Sequence, residues 1–134
     1  MRILISFILC LAILGGCNQP EKNNAGDFAE RIETHNPTAE ETLAQNPDAD
    51  IFELNGVVYS NASDIEWVQT TELTTGKNIG TITKQYKDGL VFEDQMATKL
   101  PIGTEIYEPL KGSGPILIVK LNGKEIRYLG LIEG

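Results

Sequence analysis

The sequence predicts a mainly β, α+β fold. The expected domain is a small curved antiparallel sheet or barrel of about five to seven short strands with one short helix, preceded by a signal peptide and a flexible tether. Three observations carry that expectation. Asn55-Gly56 and Asn122-Gly123 each lie between apolar-rich runs, the signature of two-residue β-hairpin turns. The apolar runs after residue 50 are short and separated by Gly- or Pro-containing turns. Ser63-Asp64-Ile65-Glu66 has the capping-box spacing that opens a helix, just before Trp67-Val68.

The chain begins differently. Arg2 and the initiator amine make a short positive start, Ile3 to Leu14 is almost wholly apolar, and Gly15-Gly16 set two minimal side chains before Cys17. This is the layout of a signal peptide over residues 1–16, with an apolar run too short to span a bilayer. Leu14-Gly15-Gly16-Cys17 resembles the lipobox of bacterial lipoproteins. The resemblance implies cleavage before Cys17 and lipidation of its thiol, so that palmitate-type acyl chains hold the mature protein on a membrane. Each buried CH₂ contributes about 0.8 kcal/mol, and two chains anchor far better than one. An ordinary secretory signal that contains a cysteine is the alternative.

Cys10 falls in the removed segment and Cys17 in the lipid anchor. The mature domain is therefore expected to carry neither free thiol nor disulfide, and to rely on its core alone. The full chain has a net charge of −8. Acidity is concentrated in residues 18–50, which hold eight acidic and two basic groups. That balance disfavours nucleic acid and anionic headgroups as direct partners.

Residues 17–50 read as the lipidated cysteine and an acidic tether. Asn18 to Gly26 is polar and rich in breakers. Asp27-Phe28-Ala29-Glu30 and Thr38-Ala39-Glu40-Glu41 match the capping-box pattern, but short isolated helices are marginal in water. A flexible tether of this length reaches about 30 Å.

The small β-rich extracytoplasmic domain is expected over residues 51–134. Ile51–Leu54 and Val57–Ser60 form the first hairpin, with a single bent strand as the alternative. The short helix follows, then a strand over Lys77–Tyr86 in which Gly80 marks a bulge. Lys87-Asp88-Gly89 turns the chain into Leu90-Val91-Phe92. Met96–Leu100 leads to a bend at Pro101-Ile102-Gly103 and a strand at Thr104–Tyr107, and Lys111–Pro115 is a loop. The last hairpin joins Ile116–Leu121 to Lys124–Leu131. A two-residue turn there sets Leu121 opposite Lys124, Val119 opposite Ile126 and Leu117 opposite Tyr128, with Lys120 facing Glu125 and Ile118 facing Arg127. Ile116, Ile118 and Leu129 on the second face call for cover by another strand or by the helix.

Chemistry is best read by subtraction. His35 is the sole histidine and sits in the expected tether, which removes His-based triads and His metal clusters. Without a mature cysteine, thiol chemistry and thiolate zinc sites are removed as well. No Gly-rich phosphate loop is present, and neither metal nor cofactor is expected. Asn46-Pro47-Asp48-Ala49-Asp50 imitates the start of a calcium loop, but Ile51 replaces its turn glycine and Val57 its closing glutamate. Among the carboxylates, Glu93-Asp94 could pair with Asp88 or Glu105, although adjacent acids on turns are ordinarily solvated.

Tyr59, Trp67, Tyr86 and Tyr107 are the candidate contact surface, a stacking platform for glycan or peptide. For Trp67, as for Tyr128, a place in the core is the favoured reading. From Ala97-Thr98-Lys99-Leu100-Pro101-Ile102-Gly103 through Tyr107 to the closing Gly130-Leu131-Ile132-Glu133-Gly134, the chain resembles small uncharacterised lipoproteins of Bacillus-type Gram-positive bacteria. That resemblance implies the outer face of the plasma membrane and carries no chemistry. Two classes follow. The favoured one is a non-enzymatic module that binds a protein or wall component. The other is a small carboxylate-dependent hydrolase or metal-dependent enzyme, for which the carboxylates must converge in a cleft.

Overall fold

The computed structural model describes residues 35–112 and 114–133. The expected signal peptide, Cys17 and the first capping box lie outside them. In chain order the elements are helix α1 (Ala39–Gln45), strands β1 (Ile51–Leu54) and β2 (Val57–Asn61), helix α2 (Glu66–Thr70), then strands β3 (Thr75–Thr81), β4 (Lys84–Gln85), β5 (Met96–Ala97), β6 (Glu105–Pro109), β7 (Ile116–Leu121) and β8 (Lys124–Gly130). They build one curled, open sheet in the order β3-β6-β7-β8-β2-β1-β5-β4, antiparallel except where β4 meets β5.

Both Asn-Gly dipeptides make the expected turns. Asn55 and Gly56 have φ of 53° and 81°, and Asn122 and Gly123 have 54° and 78°. Positive φ at both central positions is the conformation whose twist matches that of the flanking strands. The β7–β8 register follows the alternation in the sequence, from Leu121 opposite Lys124 to Ile116 opposite Leu129. Leu117, Val119 and Tyr128 thereby enter the main core with Phe52, Leu54, Ile82 and Ile106. The opposite face is covered by α2, where Val68 packs with Ala62 and Ile116.

β3 and β4 are separated by Ile82 and Thr83 alone, yet they occupy opposite edges of the sheet. The sheet must therefore curl until its edges approach one another. Ile82 is buried at this corner and donates its N–H to the Thr104 carbonyl at 2.9 Å, while Thr83 donates to the Gln95 carbonyl at 2.9 Å. Gln95 ties the corner together in a left-handed conformation, φ 66°. Its N–H reaches the Glu53 carbonyl on β1 at 2.7 Å and its side-chain amide the Thr81 carbonyl on β3 at 3.0 Å. Gly80 does mark a register shift against β6, and a Cβ there would stand 3.0 Å from Leu54 Cδ1 on β1. The bulge thus lets β3 close over the core.

Several expectations need correction. There are eight strands rather than five to seven, because short edge pairings such as β4–β5 arise from neighbours distant in sequence. The expected strand over Lys77–Tyr86 starts earlier and breaks at Ile82–Thr83. Ser63 does not cap α2: the preceding residue is Ile65, which makes no side-chain cap, and Asn61 Oδ1 takes the Ser63 N–H at 2.8 Å. The C-terminal end of α2 is held instead by Arg127, whose guanidinium donates to the carbonyls of Val68 at 2.5 Å and Thr71 at 2.6 Å. A cation at the negative end of a helix suits the aligned peptide dipoles.

The Thr38–Glu41 capping box does form, with Glu41 N–H donating to Thr38 Oγ1 at 3.1 Å and Thr38 N–H to Glu41 Oε2 at 2.8 Å. That backbone bond and the one from His35 hold the Glu41 carboxyl below the usual carboxylate range. The helix it opens is not a free tether. Ala39 is buried with Ala49, Ile51, Val58, Phe92 and Met96, so the packed unit reaches upstream of Ile51. β1 is consequently buried on both faces, Phe52 toward the main core and Ile51 toward α1.

Asp50 joins these layers. Its carboxylate accepts the Tyr128 hydroxyl and the Asn61 amide, each at 2.9 Å. Burial, reinforced by the Asp50 charge, pushes the Tyr128 phenol far above its ordinary ionisation range. Tyr128→Phe keeps the ring but removes one bond to a charged acceptor, and should cost about 1.5–3 kcal/mol in urea unfolding. An unchanged midpoint would show that the hydroxyl contributes nothing.

Candidate functional site

Among the described residues, two surface grooves stand out beside the curled sheet. The larger, about 760 Å³, lies between the α2–β3 connection (residues 71–74) and the β6–β7 loop. Its walls come from Gln69 to Thr74 on one side and Leu110 and Lys111 on the other, with Arg127 also lining it. The two walls are tied where Leu110 donates its N–H to the Thr74 carbonyl at 2.8 Å. Close approach at the tie requires a glycine: a Cβ on Gly76 would meet the Glu108 carbonyl at 2.7 Å. Leu110 is 69% exposed, and the same loop passes the Trp67 ring at Gly114.

The second groove, about 500 Å³, follows the edge strand β4. Leu90, Val91 and Ile102 line it with their side chains exposed, next to Lys84 and Lys87. Leu90–Phe92, which follows the turn at Asp88-Gly89, is irregular; Phe92 turns inward, stacked on Tyr86 with centroids 5.1 Å apart.

The four aromatic candidates do not form one platform. Tyr59 stacks on Phe52 at 5.3 Å, and burial pushes its phenol up. Tyr86 belongs to the cluster under α1. Tyr107 lies beneath the Lys120 ammonium, 4.8 Å from the ring centroid, and donates its hydroxyl to Glu105 at 2.7 Å, which raises its ionisation range. Trp67 alone is broadly open, 51% exposed, so the expected core position for it is wrong, whereas Tyr128 is wholly buried as expected. The reason is angular. On a helix of five residues, Val68 takes the buried stripe and Trp67 falls about 100° away from it.

The carboxylates do not converge either. Glu93 pairs with Lys84, Asp94 accepts the Gly56 N–H at 3.3 Å, and Glu105 accepts from Tyr107. Asp88 lines a separate small recess with Glu40 and Tyr86. Among the described residues no three His, Cys, Asp or Glu side chains are grouped to hold a metal, and no helix is long and apolar enough to cross a membrane. Sequence reasoning missed the role of Arg127, because its carbonyl partners lie nearly sixty residues away; an arginine in an otherwise apolar strand face is the signal that could have found it. No protein-family model matches the chain, and no curated protein or solved structure is significantly similar to it.

Two measurements follow from this geometry. Trp67→Ala should change unfolding stability by about 1 kcal/mol or less, whereas Val68→Ala should cost at least about 2 kcal/mol; equal losses would mean that Trp67 is packed. Glu53 is raised above its ordinary 4.5 chiefly by burial, then by the charges of Asp94 and Glu40. Its folded state holds a proton that the unfolded chain releases, so stability falls as pH rises from about 4.5 through the folded value. Glu53→Gln should flatten that fall and leave the protein slightly more stable at pH 7, by up to about 1 kcal/mol for a half-buried group that solvent still screens. An unchanged pH profile would count against the effect.

Proposed function

We propose that the protein is a lipid-anchored lipoprotein on the outer face of the plasma membrane, whose folded domain is a non-enzymatic binding module for a protein or wall component. The anchor reading rests on Leu14–Cys17. The binding reading is carried by one observation: the exposed Leu110 lines the larger groove with Lys111, Arg127 and Glu72, and the exposed Trp67 ring lies beside Gly114 of the same β6–β7 loop. Exposed aromatics of this kind supply much of the binding energy at protein interfaces. The scattered carboxylates give the enzyme alternative no support.

Cys17→Ser should abolish incorporation of a tagged fatty acid, and equal labelling of both proteins would defeat the anchor. A photoreactive residue at Leu110 should capture a cell-surface component that one at Lys99 does not. Trp67→Ala should reduce that capture while leaving the fold intact. Capture that is indifferent to both site and substitution would remove the groove from the reading.

A further inference from the structure

α1 lies over the apolar cluster of Val58, Phe92 and Met96 by few contacts. Of its seven residues Ala39 alone is buried, and Leu43, one turn later, is half-covered against the same cluster. Polar ties are as sparse: Glu40 accepts the Phe92 N–H at 3.3 Å, and Asn36 accepts the Glu133 N–H at 2.9 Å. A seven-residue helix has little stability of its own, so its order depends on this docking.

The chain becomes firmly held just beyond it. Thr98 Oγ1 donates to the Ala49 carbonyl at 2.7 Å and accepts the Ile51 N–H at 3.0 Å. Asp50 binds Tyr128 and Asn61 through its side chain, and its carbonyl accepts the Asn61 N–H at 2.9 Å. Weak attachment over residues 36–46 thus gives way abruptly to dense attachment at 49–51, with Pro47 between them. Any pull through the N-terminal chain reaches Asn36 and α1 before it reaches Asp50.

We propose that α1 is a releasable strap: residues 36–47 detach as a unit, hinge ahead of Ala49, and uncover an apolar shelf formed by Val58, Phe92 and the Tyr86 ring, while the sheet stays folded. Local opening of this kind has a lower free energy than global unfolding. The shelf itself keeps its shape, because Phe92 remains stacked on Tyr86 and Val58 remains in β2.

Hydrogen exchange on the full chain tests the strap. The amides of Thr42 and Asn46, bonded only within α1 and its cap, should exchange at least about 100-fold faster than those of Ile118 and Val119 in β7. Ala39→Glu should speed α1 exchange further and raise hydroxyl-radical labelling of Tyr86 and Phe92, with β7 protection unchanged. Glu40→Ala, which removes the Phe92 tie and leaves Ala39 in place, should act in the same direction more weakly. Equal exchange in α1 and β7, or loss of β7 protection in both variants, would show that α1 is an integral part of the core and overturn the proposal.

Discussion

The Tyr128 side chain is buried and its hydroxyl needs a polar partner; an unsatisfied buried group would cost about 1–3 kcal/mol. Asp50 is that partner, and meeting the requirement organises much else. The Tyr128 ring packs against Phe52 with centroids 5.0 Å apart, so the same side chain stacks the main core and ends on the strand-entry carboxylate. Asn61 holds the second oxygen of Asp50, which binds β2 to the start of β1. The N-terminal segment, the first hairpin and the last hairpin therefore meet at one carboxylate.

The other constraint is topological. A two-residue passage from β3 to β4 across opposite edges of a sheet can be made only if the sheet is strongly curled. Gly80 supplies the bulge and the missing side chain that let β3 approach Leu54, and Gln95 supplies hydrogen bonds to both sides of the gap. Curling encloses the main core on the concave face. It leaves the convex face to be covered by short, separate elements, α1 over Ile51 and α2 over Ile116. Beside these thin covers lie the larger groove at α2 and the small recess at α1.

The hairpins were legible because their information is local. Asn-Gly demands positive φ at two adjacent residues, and alternation then assigns every side chain between Ile116 and Leu129 to a face. The Thr38–Glu41 box was legible for the same reason, since donor and acceptor are three residues apart. The Ser63 box failed because Asn61 competes for the same backbone donor, and the end of α2 is held from fifty-six residues away by Arg127 at Thr71. The candidate surface was legible only as a set of aromatic residues. Which of them stays open depends on which ring finds a partner, and Tyr59, Tyr86 and Tyr107 all do.

By itself the sequence determined the fold class, the register of the hairpins, the position of the β3 bulge and the lack of any His- or Cys-based chemistry in the domain after residue 50. All of these follow from residue identity or from spacing within a few positions, where covalent geometry leaves little choice. Tertiary structure alone decided that α1 docks, that Trp67 faces outward, that Gln95 closes the corner and that the carboxylates stay apart. Each of those depends on which surfaces meet once the sheet curls, and no pattern confined to one segment contains that curvature.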